Sequence, residues 1–413
     1  MIKVNQGESH SRDCRVFSLL LVIGYAVILV LVTRMTGVPF KLILQAMGVP
    51  ALDYPIMDLR GVASWCELYG NGGDPAVQQG VIEISAGHQY GAYLMNYSPI
   101  VLGMFWLGLL PCHVVAWAVA LLLMYGLSLW FLAGPCSRSG ALLWCLLICS
   151  PLSIMVVERG NLDMLLFTML VAALAARNRP MLGVALILAA ALLKFFPAPA
   201  FLAFWKRGGR RDQILVVIGV GLLVAFLFLI RSRLGAISGS LSGQCQNAFG
   251  CVVIPDLLVQ HQLISTIQSE SVRFMVKGCT IVLMFLTVLA GFLRLNGNSA
   301  FPVSAKSVFS FFLAAPMMIF LFIQGNQMDY KWIFLLFMVP AILELKRVPD
   351  RLNALAAHAW LVLMLAYSYW NFFSDEGSLR NAFLKQAMMW AVMMLTAFLA
   401  GSIWKKGRCD ERH

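Results

Sequence analysis

Ionisable side chains at the edges of apolar runs are the residues of this chain that could do chemistry. One such stretch, residues 158–163 (Glu-Arg-Gly-Asn-Leu-Asp), lies between two apolar runs, and residues 324–331 form a second one that ends in Asp-Tyr-Lys. Placing a single charged side chain within a membrane helix costs about 2.5–3.5 kcal/mol on insertion scales, so several of them together indicate a functional polar site. Five more acidic residues follow the first apolar run: Asp53, Asp58, Glu67, Asp74 and Glu83.

Composition indicates that membrane-spanning elements position these residues. The 413 residues are 60% apolar and 12% charged, and the mean hydropathy is +0.81. An ordinary soluble protein carries about 25% charged residues, so a soluble enzyme, a secreted domain and a disordered chain are excluded. The net charge of +12 comes largely from short basic clusters between apolar runs, which is typical of cytoplasmic loops rather than of nucleic-acid binding.

Apolar runs and loop charges predict a single all-α transmembrane domain over residues 1–413 with about ten full spans. A span needs about 20 apolar residues, and the first one, residues 17–32, is expected to be retained rather than cleaved. With the N-terminus inside, residues 34–96 and 231–273 become the two long extracytoplasmic loops. The apolar runs are 17–32, 97–110, 113–132, 141–157, 162–176, 181–205, 214–230, 274–293, 307–323, 332–345, 354–372 and 382–404.

Two of these runs do not fit simple crossings. Residues 181–205 lie between two basic loops and contain Pro197 and Pro199, so we predict two half-helices with a break buried in protein. Residues 97–110 are predicted to form an interfacial or half-inserted helix. The apolar residues scattered through 40–68 predict helices lying on the membrane surface.

Cysteine and histidine positions give weaker signals. Cys245 and Cys251 share the second extracytoplasmic loop and are candidates for a disulfide. No His/Cys cluster has the spacing of a metal site, so we predict that no metal and no other cofactor is required.

The order of several motifs is similar to that of a known family. Arg159-Gly160-Asn161-Leu162-Asp163 opens an apolar run, Lys194-Phe195-Phe196-Pro197 follows in the broken run, and Asp329-Tyr330-Lys331 precedes a late run. Tyr97-Ser98-Pro99 and an early acidic residue, Asp58, complete the pattern. The chain thereby resembles the GT-C superfamily of polyprenyl-phosphate-sugar-dependent glycosyltransferases, and family 87, whose members are polyprenol-phosphate-mannose-dependent alpha-mannosyltransferases, in particular.

The resemblance implies a GT-C-like helical bundle that transfers a sugar, mannose or another hexose, from a polyprenyl-phosphate donor to a lipid or glycan acceptor with inversion. It implies that Asp58 is the general base, with Asp53 as the alternative. Donor phosphate binding is expected from Arg159, Lys194 and Lys331, and the remaining substrate-site residues are expected to be Asn161, Asp163, Asp329, Tyr330 and His261. The protein is then expected in the plasma membrane with its active site on the extracytoplasmic side.

Two other classes of protein remain open at this stage. A secondary transporter often has a broken helix near the middle of the membrane, which residues 181–205 could supply. Another lipid-handling enzyme, such as an acyltransferase or a polymer ligase, would need a catalytic His, but His113 and His358 lack acidic neighbours.

Overall fold

The computed structural model of the chain is built mainly of α-helices and divides into two compact units. It describes residues 20, 23–24, 27–28, 31–52, 54–75, 78, 80–85, 88–91, 97–133, 138–232, 248–294, 303–325, 327–348, 350–373 and 379–406. The first unit comprises Met1–Cys149, Ser153–Ala198 and Val217–Ser242, and the second comprises Ser150–Leu152, Pro199–Val216 and Gly243–His413. Within the described residues an all-α membrane protein is confirmed, whereas the prediction of one single domain stays a prediction.

The described α-helices of the first unit have 7 to 20 residues. Its helices are α1 Phe40–Ala46, α2 Met57–Gly70, α3 Val114–Ala133, α4 Arg138–Ile148, α5 Pro151–Arg159, α6 Asp163–Ala175 and α7 Pro180–Leu193, with 3-10 segments at Pro99–Phe105 and Pro111–His113. Strands β1 Val81–Ser85 and β2 His88–Gly91 form an antiparallel pair. Helix α6 packs against both α3 and α7, and the rings of Tyr125 and Phe167 meet edge to face, with centroids 5.2 Å apart, at the first of these contacts.

The second unit resumes at Pro199. Its elements are a 3-10 segment Ala198–Phe201, α8 Leu202–Arg207, α9 Arg210–Leu229 (which passes into the first unit), β3 Ala248–Phe249, α10 Val253–Gln260, α11 Thr266–Arg294, α12 Ala305–Gln324, β4 Gln327–Met328, a 3-10 segment Asp329–Met338, α13 Val339–Leu345, α14 Arg351–Ser368, α15 Trp370–Phe373 and α16 Leu379–Lys406. Helices α11 and α16 pack closely because Gly291 faces the carbonyl of Phe398 and Gly401 faces that of Val288, where a Cβ would clash.

The number of spans differs from the predicted ten. In the described part of the chain, five helices are long and apolar enough to cross a membrane, or six if the bent pair Gly140–Ile148 and Pro151–Arg159 is one span. The five are Pro111–Ala133, Arg210–Leu229, Gln268–Arg294, Ala305–Gln324 and Arg380–Lys405. The prediction was wrong because apolar composition does not show where a run breaks. Helix α6, with 13 residues, is only about 20 Å long at 1.5 Å per residue.

The structure agrees better with the predictions for the irregular segments than with the predicted number of spans. The run 181–205 breaks at Lys194, where the backbone leaves α7 in an extended conformation, as predicted from its prolines. Within residues 97–110, Pro99–Phe105 forms a 3-10 helix, with Ser98 accepting a hydrogen bond from the Ile100 amide, and its predicted position at the membrane interface stays a prediction. Helices also occur within 40–68. The predicted second loop, 231–273, contains α10 and the start of α11, and which side of the membrane each loop faces stays a prediction.

Candidate functional site

Asp58 lies in the first turn of helix α2, half-buried in the first unit. Its Oδ2 accepts a hydrogen bond of 2.5 Å from Nδ2 of Asn161, a residue that is 103 positions later in the chain. Among the described residues, this is the side-chain contact that fixes the carboxylate.

Asn161 is held by the way helix α5 ends. The Gly160 amide donates to the Val157 carbonyl (3.0 Å) and the Asn161 amide to the Val156 carbonyl (3.2 Å), which is the Schellman pattern of a helix C-terminus. That pattern requires a left-handed residue, and Gly160 supplies it with a φ of 61°. The side-chain Oδ1 of Asn161 then accepts from the Asp163 amide at 2.8 Å, so the donor Nδ2 is directed at Asp58.

Lys194, directly after helix α7, forms a buried ion pair with Asp163, which lies two residues after Asn161. The Lys194 Nζ lies 2.7 Å from Oδ1 of Asp163, whose side chain is 0% exposed, whereas that of Lys194 is 15% exposed. The same ammonium donates to the Tyr97 hydroxyl at 3.2 Å and lies 4.4 Å from the centre of the Tyr97 ring. Oδ2 of Asp163 has no hydrogen-bond partner in the described part of the structure. A buried carboxylate oxygen without a hydrogen bond is costly.

Glu158 and Arg159 form a second pair next to Asn161. Arg159 Nε lies 3.3 Å from Oε2 of Glu158, and both side chains are buried. Arg159 Nη2 donates to the Pro50 carbonyl at 3.2 Å, and Glu158 Oε1 accepts from the Leu52 amide at 3.1 Å. The pair therefore contacts the backbone that leads into α2.

Within the part of the chain that the structure describes, Asp58 is the carboxylate of this cluster that forms no ion pair with a cation. Lys194 is paired with Asp163, and Arg159 with Glu158, whereas the bond described for Asp58 comes from a neutral amide. Burial raises the pKa of Asp58 above its ordinary value of 3.8, and Asp163 adds to this effect, while Arg159, Asn161 and Lys194 oppose it. Burial also raises the pKa of Tyr97 well above 10.0, so its hydroxyl stays protonated.

The structure brings together five of the residues predicted for the site: Asp58, Arg159, Asn161, Asp163 and Lys194. The alternative base, Asp53, lies outside the described residues. Lys331 is buried in the second unit. Its neighbours Asp329 and Tyr330 begin a 3-10 segment, but their side chains lie outside what the structure describes. His261 is exposed at the end of α10, and the placement of these second-unit residues at the same site stays a prediction.

The predicted disulfide also stays a prediction, because Cys245 lies outside the described residues. Cys251 is buried, and its sulfur lies 3.5 Å from the Ile323 carbonyl oxygen.

Tyr97 and Glu158 were given no role of their own at the site, although both belong to motifs singled out in the sequence. Tyr97 belongs to the Tyr-Ser-Pro motif, and it contacts Lys194, which is 97 positions later in the chain. Glu158 directly precedes the Arg-Gly-Asn motif, so its position beside Arg159 was a signal that could have found it.

The described residues contain no group of three or more His, Cys, Asp or Glu side chains that could hold a metal ion. No protein-family model matches the chain, and no curated protein or solved structure is significantly similar to it.

Proposed function

We propose that the protein is a membrane glycosyltransferase that uses a polyprenyl-phosphate sugar donor, with Asp58 as general base. The observation that carries the proposal is the cluster in which two carboxylates are paired with cations and Asp58 is bonded to Asn161 instead. A carboxylate that is held in place without a bonded cation is suited to accept a proton.

The raised pKa of Asp58 supports this role. A general base works best when its pKa approaches the working pH, and burial shifts this carboxyl in that direction. The positive charges of Arg159 and Lys194 oppose this shift, because both favour the ionised carboxylate of Asp58 that can accept a proton.

Lys194 supplies positive charge for the leaving phosphate. It stands at the break after α7 with its ammonium bonded to Asp163 and Tyr97. Fixed cations of this kind stabilise charge that develops in the transition state, and the contacts with Asp163 and Tyr97 help to hold the ammonium in position.

In the proposed step, an oxygen of the acceptor hydroxyl attacks the anomeric carbon of the donor. A new carbon–oxygen bond forms on one face while the bond to the phosphate oxygen breaks on the other, and its electron pair leaves with polyprenyl phosphate. The hydroxyl proton passes to Asp58. The configuration inverts because attack and departure occur on opposite faces.

Lipid-linked substrates agree with a chain that is embedded in a membrane. The described part of the chain has five helices able to span a membrane, and apolar side chains dominate its composition. A polyprenyl chain can remain in the bilayer while its phosphate reaches the polar groups. We propose mannose or another hexose as the sugar, on the basis of the family resemblance, and the extracytoplasmic side as the site of transfer.

The test is transfer by purified protein in proteoliposomes that contain radiolabelled polyprenyl-phosphate mannose, or other polyprenyl-phosphate hexoses, with a lipid extract as acceptor. Wild-type protein is expected to release polyprenyl phosphate and label a lipid or glycan. Asp58→Asn is expected to lower turnover by about 10²–10⁴-fold. The matched control is Glu67→Gln, which changes an exposed acid on the same helix and is expected to leave turnover unchanged. Full turnover by Asp58→Asn would remove this residue from the mechanism.

The helix break at Lys194 also favours a second candidate, a secondary transporter. Broken helices beside charged side chains form the binding sites of such proteins, and here the break lies next to the Lys194–Asp163 pair. Uptake of a solute into proteoliposomes that lack any lipid-linked sugar would support the transporter and contradict the glycosyltransferase.

A further inference from the structure

The segment that leads into α2 is bonded to the end of α5 at Pro50, Leu52 and Ile56. Glu158 accepts hydrogen bonds from two of its amides, with Oε1 bonded to the Leu52 N–H (3.1 Å) and the backbone carbonyl bonded to the Ile56 N–H (2.6 Å). Arg159 donates from Nη2 to the Pro50 carbonyl. We call these contacts between residues 158–160 and residues 50–56 the clamp.

Ile56 shows why such a clamp is needed. This β-branched residue has a φ of 57° and a ψ of 29° immediately before α2, a left-handed conformation that is strongly disfavoured for its side chain. Gly160 lies against it, since a Cβ on Gly160 would be 3.0 Å from the Cβ of Ile56. A conformation of this kind persists only where its surroundings determine it, and the clamp provides those surroundings.

The clamp and the hydrogen bond between Asn161 and Asp58 involve the same two backbone segments. Asp58 follows Ile56 by two residues, and Asn161 follows Gly160 directly. The hydrogen bond from Asn161 to Asp58 therefore depends on how residues 50–56 are held against residues 158–160.

We propose that Glu158 and Arg159 are positioning residues that clamp the 50–56 segment and so hold Asp58 against Asn161. The inference rests on the proposed function for what Asp58 does, but the clamp itself is independent of it. Arg159 was expected to bind the donor phosphate. In the clamp, its Nη2 hydrogen bond goes to the Pro50 carbonyl and its Nε faces Glu158.

Hydrogen–deuterium exchange of the purified protein in detergent tests the clamp without any substrate. Glu158→Ala removes the acceptor of the Leu52 amide, and amides of residues 50–60 are expected to exchange about 10-fold faster or more. Glu158→Gln keeps an oxygen at Oε1 and is expected to restore most of the protection. Exchange within α6 serves as an internal reference, and Glu67→Ala is the matched control, because it removes an exposed acid from α2 outside the clamp. Unchanged exchange in Glu158→Ala would overturn the clamp.

Turnover separates positioning from donor binding. If Glu158 positions Asp58, Glu158→Ala lowers kcat about 10-fold or more with KM for the lipid donor changed little, and Glu158→Gln recovers most of kcat. A raised KM for the donor with an unchanged kcat would show that the pair binds the donor instead and would overturn the positioning role, as would an unchanged kcat with faster exchange.

The two proposals can fail separately. If the wild-type protein transfers no sugar but the exchange results are as expected, the proposed function fails and the clamp stands. If the wild-type protein transfers sugar and Glu158→Ala leaves exchange unchanged, the clamp fails and the proposed function stands.

Discussion

Removing the positive charge of Lys194 should destabilise the protein through the carboxylate that it leaves behind. Asp163 is 0% exposed and its Oδ1 is 2.7 Å from the ammonium. Truncating one partner of a buried ion pair typically costs about 3–5 kcal/mol, because the other charge remains buried and unpaired. We therefore expect Lys194→Met to lower the free energy of unfolding by about this amount.

The matched variant removes both charges. Replacing a whole buried pair by uncharged groups is often close to neutral, so Lys194→Met with Asp163→Asn should recover to within about 1 kcal/mol of wild type. Asp163→Asn alone should cost less than Lys194→Met, because Lys194 is 15% exposed and can retain some contact with water.

Thermal unfolding in detergent, monitored by tryptophan fluorescence, measures these differences. The unfolding entropy of a chain of this length is about 0.9 kcal/mol per degree, at about 2.1 cal/mol/K per residue, so 3–5 kcal/mol corresponds to about 3–6 °C in Tm. Equal Tm values for Lys194→Met and the double variant would refute the reasoning, since the buried charge would then not be the cause. Under the proposed function, both variants should lose about 10²-fold or more in turnover, which separates the chemical role of Lys194 from its structural one.

Three further predictions concern the surroundings of Asp58. Activity should fall as the pH drops through the raised pKa of Asp58, with a midpoint above 3.8 in a kcat/KM profile; a midpoint at or below 3.8 would contradict burial as the cause. In the same window the folded state binds more protons than the unfolded chain, so the contribution of Asp58 to the free energy of unfolding falls as pH rises. Asp58→Asn should remove this contribution to the dependence of the free energy of unfolding on pH. An unchanged dependence in this variant would contradict the prediction. Asn161→Asp replaces the donor by a second negative charge and should move the acid limb to higher pH, whereas an acid limb at the wild-type position would show that Asn161 does not tune this carboxyl. Gly160→Ala introduces a Cβ at a φ of 61°, 3.0 Å from that of Ile56, and should cost about 1–3 kcal/mol in thermal unfolding, an effect that wild-type stability in this variant would disprove.

Sequence motifs anticipated which polar residues lie close together better than apolar runs anticipated the number of spans. The Arg-Gly-Asn-Leu-Asp and Lys-Phe-Phe-Pro motifs contain four of the five predicted site residues that the structure brings together, and Asp58 is the fifth. Charged residues beside apolar runs can be recognised from the sequence alone. Burying a charge in a membrane is costly, so such residues are rare and indicate a functional site. Span counting failed because helix ends depend on local breaks and packing, and both α6 and α7 end before they reach the length of a full crossing.

The amino-acid sequence by itself determined that the chain is an apolar, mainly helical membrane protein. It also showed that the apolar run 181–205 is interrupted and that polar motifs lie at the ends of apolar runs. Only the tertiary structure decided which of those polar groups are bonded to each other. Asp58 and Asn161 are 103 positions apart, and Tyr97 and Lys194 are 97 apart, and no local pattern encodes contacts at such separations. They follow from the left-handed turn at Gly160, the clamp on residues 50–56 and the packing of α6 on α7, which together bring distant side chains within hydrogen-bonding distance.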